Sequence, residues 1–87
     1  MIKRLVTDCA LDGAIAQAIA QYTDKRVVEL SVCADDTPGR FVARARVRLH
    51  SARTRVTDRT LFFLIRSPLQ RVTTRDLEEL EHYEWPD

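Results

Sequence analysis

Three arginines alternate along one short stretch of the chain, at Arg44, Arg46 and Arg48. In a β-strand, residues two apart project from the same face at intervals of about 6.6 to 7 Å. That interval roughly matches the phosphate spacing of a nucleic-acid strand, and the planar fork of arginine also suits carboxylates and aromatic faces. The pattern predicts a binding surface for a partner protein or nucleic acid, with candidate residues Arg44, Arg46, Arg48, His50, Arg53 and Arg55.

The net charge of +1 hides two strongly charged parts of the chain. Residues 40–75 hold ten arginines and a single acid, Asp58, which gives this window a charge of +9. The remaining residues hold four cations and twelve acids, or −8, and six of those acids lie within residues 76–87. Pairing within the fold is therefore an alternative for the arginines, either with Glu29 on a neighbouring strand or with the C-terminal acids.

Residues that could carry catalysis or hold a metal do not form a recognisable pattern. Nucleophilic catalysis needs a nucleophile, a base and an orienting group within reach of each other, but His50 and His82 belong to no catalytic signature. Cys9 and Cys33 lie at no metal-ligand spacing, and we expect both to be reduced and partly buried. Two glycines cannot build a phosphate-cradling loop. We predict no enzyme activity, catalytic residue, metal or cofactor.

Length and hydropathy limit the classes to which the protein can belong. Eighty-seven residues suffice for one domain, 1–87, with a modest core. The longest apolar run, residues 61–65, is far shorter than the roughly 18 residues of a membrane span. The first residues lack the long apolar stretch of a signal peptide. We therefore expect a cytoplasmic protein with no membrane partner.

A β-hairpin is predicted to position the arginine row. Residues 26–34 alternate, with Val28, Leu30, Val32 and Ala34 facing one way. Pro38 and Gly39 suit the central positions of a type II turn, because proline fixes φ and glycine accepts positive φ. Residues 40–50 then alternate again. Their inner face is predicted to be apolar, with small alanines leaving room for a helix, and comprises Phe41, Ala43, Ala45, Val47 and Leu49.

The other predicted elements flank this hairpin. Apolar residues at helical spacing predict a helix over residues 8–22, with Thr7 or Asp8 as its N-cap. The apolar core of residues 59–66 predicts a third strand that does not alternate and is buried on both faces or apolar on its outer one. A second, acidic helix is predicted from Thr73 to about His82, and residues 2–6 are expected to form a short strand.

The predicted fold is therefore α+β, in the order (β)αβββα. It has a three-stranded antiparallel sheet, a possible extra N-terminal strand, and two helices on one face. The opposite face would carry the arginine row together with Phe62 and Leu64. If Phe62 and Leu64 are exposed, they would form a contact patch for a homodimer or for another partner. If they are not exposed, Tyr83 and Trp85 of the same chain would cover them.

These features favour a small non-catalytic protein-binding module that acts through a charged sheet face. Regulators, adaptors and inhibitors of the kind that phages and mobile elements carry fit this size and this lack of chemistry. The alternative is a nucleic-acid-binding domain that uses the arginine row. The overall pI of about 7.8 and the acidic C-terminal end count against that alternative.

Overall fold

The computed structural model describes residues 5–8, 13–50, 56–66 and 68–85. Within these ranges the chain forms five strands in one antiparallel sheet whose spatial order, β1-β2-β3-β4-β5, follows the sequence. The predicted α+β class and antiparallel meander are confirmed. The predicted number of three strands is wrong, because β1 and β5 extend the sheet to five. The elements in chain order are β1 (Leu5–Asp8), α1 (Ala14–Thr23), β2 (Arg26–Ala34), β3 (Phe41–His50), β4 (Val56–Ile65), two single 3-10 turns (Leu69–Arg71 and Thr74–Asp76) and β5 (Leu77–Leu80).

The β2–β3 connection is the tight turn that its sequence predicts. Gly39 has a φ of 81°, the left-handed conformation required at the third position of a type II turn. The Arg40 amide donates to the Thr37 carbonyl at 3.2 Å, and the Asp35 amide donates to the Arg40 carbonyl at 3.0 Å. The turn fixes the register of the hairpin, so that Ala34 pairs with Phe41 and Ser31 with Arg44.

Helix α1 begins later than its apolar pattern predicts. Gly13 is its N-cap, with extended backbone angles and no side-chain hydrogen bond, and Asp24 ends the helix at a φ of 55°. Thr7 and Asp8 belong to β1, so the prediction that either caps the helix is wrong. Glycine is a poor interior helix residue, which accounts for a helix that begins after Gly13 rather than running through it.

The predicted second helix is wrong. Only one 3-10 turn, Thr74–Asp76, forms there, closed by a capping box in which the Thr73 amide donates to the Asp76 carboxylate at 2.8 Å. The chain then extends as β5, which pairs with β4 from Phe62–Leu80 to Ile65–Leu77. A helix would have left the outer backbone edge of β4 without strand partners. The three-residue spacing of Leu77 and Leu80 fits a helical face, but in the strand it places them on opposite faces of the sheet.

One face of the sheet packs against α1 and holds the main core. Ala43 and Ala45 are fully buried there, as is Phe63 on the neighbouring strand. The two alanines leave room for the buried face of the helix, as the sequence predicts. The buried members of this cluster are Ile15, Ala16, Ala18, Ile19, Val27, Leu30, Val32, Ala43, Ala45, Val47, Phe63, Ile65, Val72 and Leu77.

A bulge in β2 changes which valine joins that core. The pairing with β3 shifts between Val27 and Glu29, which leaves Val28 as the extra residue. Val27, only 7% exposed, faces the core opposite Val47. The simple alternation that predicted Val28 as an inward residue is therefore wrong at this end of the strand. Beyond the bulge, Leu30 and Val32 face inward as predicted.

The bulge yields a test with two chemically identical substitutions. We expect Val27→Ala to lower the free energy of unfolding by about 2 kcal/mol, because it removes two buried methyl groups and leaves a cavity. Val28→Ala should cost less than about 1 kcal/mol, because that side chain is half-buried. Urea unfolding followed by circular dichroism measures both. Equal costs, or a larger cost for Val28→Ala, would contradict the bulged register.

Candidate functional site

The arginine row, Arg44, Arg46 and Arg48, lies on the face of the sheet opposite α1, which we call the arginine face. Arg44 pairs with Phe62 on β4, and Arg46 pairs with Glu29 on β2 and with Thr60 on β4. Arg48 pairs with Asp58. The alternation of β3 thus brings all three guanidinium groups to one surface, flanked by two acids and an aromatic ring.

Two of the three arginines are bonded to acids on neighbouring strands. Arg46 contacts the Glu29 carboxylate at 2.9 Å and the Asp58 carboxylate at 3.5 Å. The other oxygen of Asp58 accepts from Nε of Arg48 at 3.1 Å, so Asp58 bridges two members of the row. The pairing of Glu29 with the row was predicted from the hairpin. The three cations and two acids together carry a formal charge of +1.

These ion pairs are open to solvent. The exposed fractions of the four side chains run from 27% for Asp58 to 53% for Glu29. Exposed pairs typically contribute about 0 to 1 kcal/mol each to stability. Their main effect is therefore on the electrostatic potential of the face, where they cancel two of the three positive charges.

Arg44 has a different kind of neighbour. Its guanidinium carbon lies 4.6 Å from the centroid of the Trp85 ring, within the range of a cation–π contact. Among the residues that the structure describes, no carboxylate forms an ion pair with it. The guanidinium of Arg44 thus lies against an aromatic ring, whereas those of Arg46 and Arg48 lie against carboxylates.

Trp85 belongs to an aromatic cluster that it forms with Tyr83 and with Phe62 of β4. The ring centroids of Phe62, Tyr83 and Trp85 lie between 6.2 and 6.4 Å from one another. Tyr83 and Trp85 also pack against a second small core of Cys33, Val42 and Leu64, with exposed fractions of 0%, 0% and 9%. The Tyr83 hydroxyl also donates to the Asp35 carboxylate at 3.4 Å.

Tyr83 and Trp85 change the exposure of the predicted apolar patch, Phe62 and Leu64. Leu64 is buried by the chain's own aromatic residues, and only half-buried Phe62 stays near the surface. The apolar patch that suggested a homodimer is therefore covered by Tyr83 and Trp85, the two residues predicted from the sequence as the alternative to an exposed patch. The dimer itself stays a prediction.

A pocket of about 360 Å³ opens between the arginine row and the aromatic cluster. We call it the Trp85 pocket. Among the described residues, its walls combine two cations, one carboxylate, one hydroxyl and two aromatic rings, and the lining residues are Glu29, Arg44, Arg46, Thr60, Phe62 and Trp85.

Of the other predicted residues, Arg48 and Leu64 are described and are not among the residues that line this pocket. His50 ends β3, opposite Val56. Arg53 and Arg55 lie outside the described residues, as does Cys9. Cys33, by contrast, is a buried cysteine below the aromatic cluster. The binding role of all these positions stays a prediction.

Sequence reasoning missed two features of the site. Trp85 was considered only as a cover for the apolar patch, not as the partner of Arg44 and a wall of a pocket. Asp58 falls just before the strand predicted over residues 59–66, but it lies within β4 and faces the row. Its signal was the alternation at Asp58, Thr60 and Phe62, which continues the outward face of the strand across the polar stretch.

The comparisons with known proteins give no identification: the sequence matches no protein-family model, no curated protein and no solved structure. The described ranges contain no helix long and apolar enough to cross a membrane. They also contain no cluster of three or more His, Cys, Asp or Glu side chains that could hold a metal ion.

The cover over the second core can be tested through Cys33. In a Cys9→Ser background, we expect Trp85→Ala to raise the rate of Cys33 modification by a thiol reagent about tenfold, because easier local opening exposes the thiol. Tyr22→Ala, which removes an aromatic ring from the helix-bearing face, is the control and should change the rate little. Equal rates in the parent and the Trp85 variant would show that Trp85 does not cover this core.

Proposed function

We propose that the protein is a non-catalytic protein-binding module and that the Trp85 pocket is the centre of its binding surface. One observation carries the proposal: Arg44 is held against an aromatic ring with no carboxylate partner among the described residues. Arginine and tryptophan are the residue types most enriched at the energetic centres of protein interfaces. Here both line one concave site that also offers a carboxylate and a hydroxyl.

The charge of the face favours a protein over a nucleic acid. Binding along a phosphate backbone depends on several unneutralised cations, but Glu29 and Asp58 already bond Arg46 and Arg48. Base stacking needs open ring faces, whereas Arg44 lies over Trp85, and Phe62 packs beside Trp85 and Tyr83. The site therefore suits one anionic group and an apolar neighbour better than a row of phosphates.

The lining of the pocket also fits binding without catalysis. General base catalysis needs a base poised to take a proton, but Glu29, the only carboxylate among the described lining residues, is held by Arg46 at 2.9 Å. Thr60 has no histidine beside it among the lining residues. This arrangement supports recognition by charge and shape rather than the activation of a nucleophile.

Removal of the two acids provides a direct test against nucleic-acid binding. Glu29→Gln combined with Asp58→Asn raises the charge of the row and its acids from +1 to +3. We expect weak binding of a single-stranded DNA decamer to the wild type and tighter binding to the double variant, with an affinity that falls steeply as salt rises. Fluorescence anisotropy of labelled DNA measures both. Tight, salt-dependent binding to the wild type, unchanged in the variant, would favour the nucleic-acid function instead.

A protein partner should depend on Arg44. We expect the immobilised protein to retain from cell extract a partner that Arg44→Ser loses and Arg71→Ser keeps. Arg71 is the matched control because it is exposed on the 3-10 turn Leu69–Arg71, which packs near α1 and away from the pocket. Retention that is equal with both variants would contradict a binding site centred on the pocket.

A further inference from the structure

We propose that the Trp85 pocket recognises a single carboxylate next to an aromatic side chain, in an acidic–aromatic segment of the partner protein. This inference rests on the proposed protein-binding function and names the chemistry of what is bound.

The first argument is the arrangement of Arg44. A cation–π contact engages the π-face of the Trp85 ring, whereas hydrogen bonds from a guanidinium run in its own plane through five N–H donors. The two interactions can therefore coexist. Because the ring already restrains the side chain, a bound carboxylate would cost less ordering entropy than it would at a mobile arginine. A carboxylate can accept two parallel bonds from the guanidinium fork.

The second argument is the number of anionic groups that the pocket admits. Arg46, the second cation among the described lining residues, is already bonded to Glu29 at 2.9 Å and to Asp58 at 3.5 Å. A second bound anion would have to displace one of these carboxylates and would lie beside the negative charge of Glu29. The pocket is therefore suited to one negative charge, which distinguishes a lone Asp or Glu from a run of phosphates.

The third argument is the apolar wall and the size of the pocket. Phe62 and Trp85 line it with their centroids 6.3 Å apart, and aromatic side chains prefer offset or edge-to-face contact with other rings. A volume of about 360 Å³ lies at the small end of the range of ligand pockets. It admits one or two side chains rather than a folded element, so an acid followed directly by an aromatic residue meets both walls.

The test uses Trp85 as its own reporter, because it is the only tryptophan in the chain. The probe is the peptide acetyl-Gly-Ser-Glu-Phe-Gly-Ser-amide, and the matched peptide replaces its Glu with Gln. We expect the Glu peptide to change Trp85 emission saturably and the Gln peptide to bind about tenfold more weakly, as the loss of a charge-assisted hydrogen bond predicts. Calorimetric titration checks the same affinities without relying on fluorescence.

Variants of the protein separate the effect of the planar guanidinium fork of Arg44 from the effect of its positive charge. Arg44→Lys keeps the positive charge but loses the planar fork, and we expect at least about fivefold weaker binding of the Glu peptide. Arg71→Lys is the matched control and should bind like the wild type. Circular dichroism establishes whether each variant is folded. If Arg44→Lys does not fold, the comparison of the Glu and Gln peptides on the wild type still decides the question.

The outcomes distinguish this inference from the function on which it rests. Equal binding of the two peptides, or no binding of either while Arg44 is still required for capture of a protein partner, would overturn carboxylate recognition and leave the protein-binding function standing. A single-stranded DNA decamer that displaces the Glu peptide and binds more tightly would overturn both.

Discussion

The second half of β4, residues 61–65, is apolar on both sides, and most of the architecture follows from covering it. Phe63 and Ile65 face α1, whereas Phe62 and Leu64 face the other way. Burial of apolar surface is the main favourable term in folding, and a chain this small has little stability to lose. The helix covers one side. The second side is covered by the aromatic residues that follow β5, so the face that carries the arginine row also carries a second small core.

The position of Trp85 is a consequence of that cover. Tyr83 and Trp85 pack over Cys33, Val42 and Leu64, and β3 places Arg44 directly after this apolar region along its outward face. The Trp85 ring therefore meets a guanidinium at the boundary between the core and the charged surface. Arg46 and Arg48, farther along the strand, are bonded to acids instead. One strand thus holds its arginines in two distinct environments.

The features that sequence predicts well are those fixed by local geometry. The alternation within β3 implies the arginine row, and the register that the Pro-Gly turn sets between β2 and β3 implies that Glu29 lies opposite a member of that row. The failures arise where tertiary demands override local preference. Leu77 and Leu80 have the spacing of a helix, but the outer edge of β4 requires a strand. The bulge at Val28 has no local sequence signal, and the contact between Arg44 and Trp85 joins residues 41 positions apart.

On the arginine face, the contacts around Arg46 and the contact between Arg44 and Trp85 contribute differently to stability and to the proposed recognition. The ion pairs around Arg46 are exposed and contribute little to folding, so their acids can vary at small cost in stability and large effect on surface potential. Trp85 is different, because it shields buried residues and also holds Arg44. A ligand that bonds the edge of the Arg44 guanidinium leaves this cover in place, whereas one that inserts a ring between Arg44 and Trp85 must break a contact that the folded state uses. The proposed carboxylate ligand would approach Arg44 in the plane of its donors and would therefore leave this contact intact.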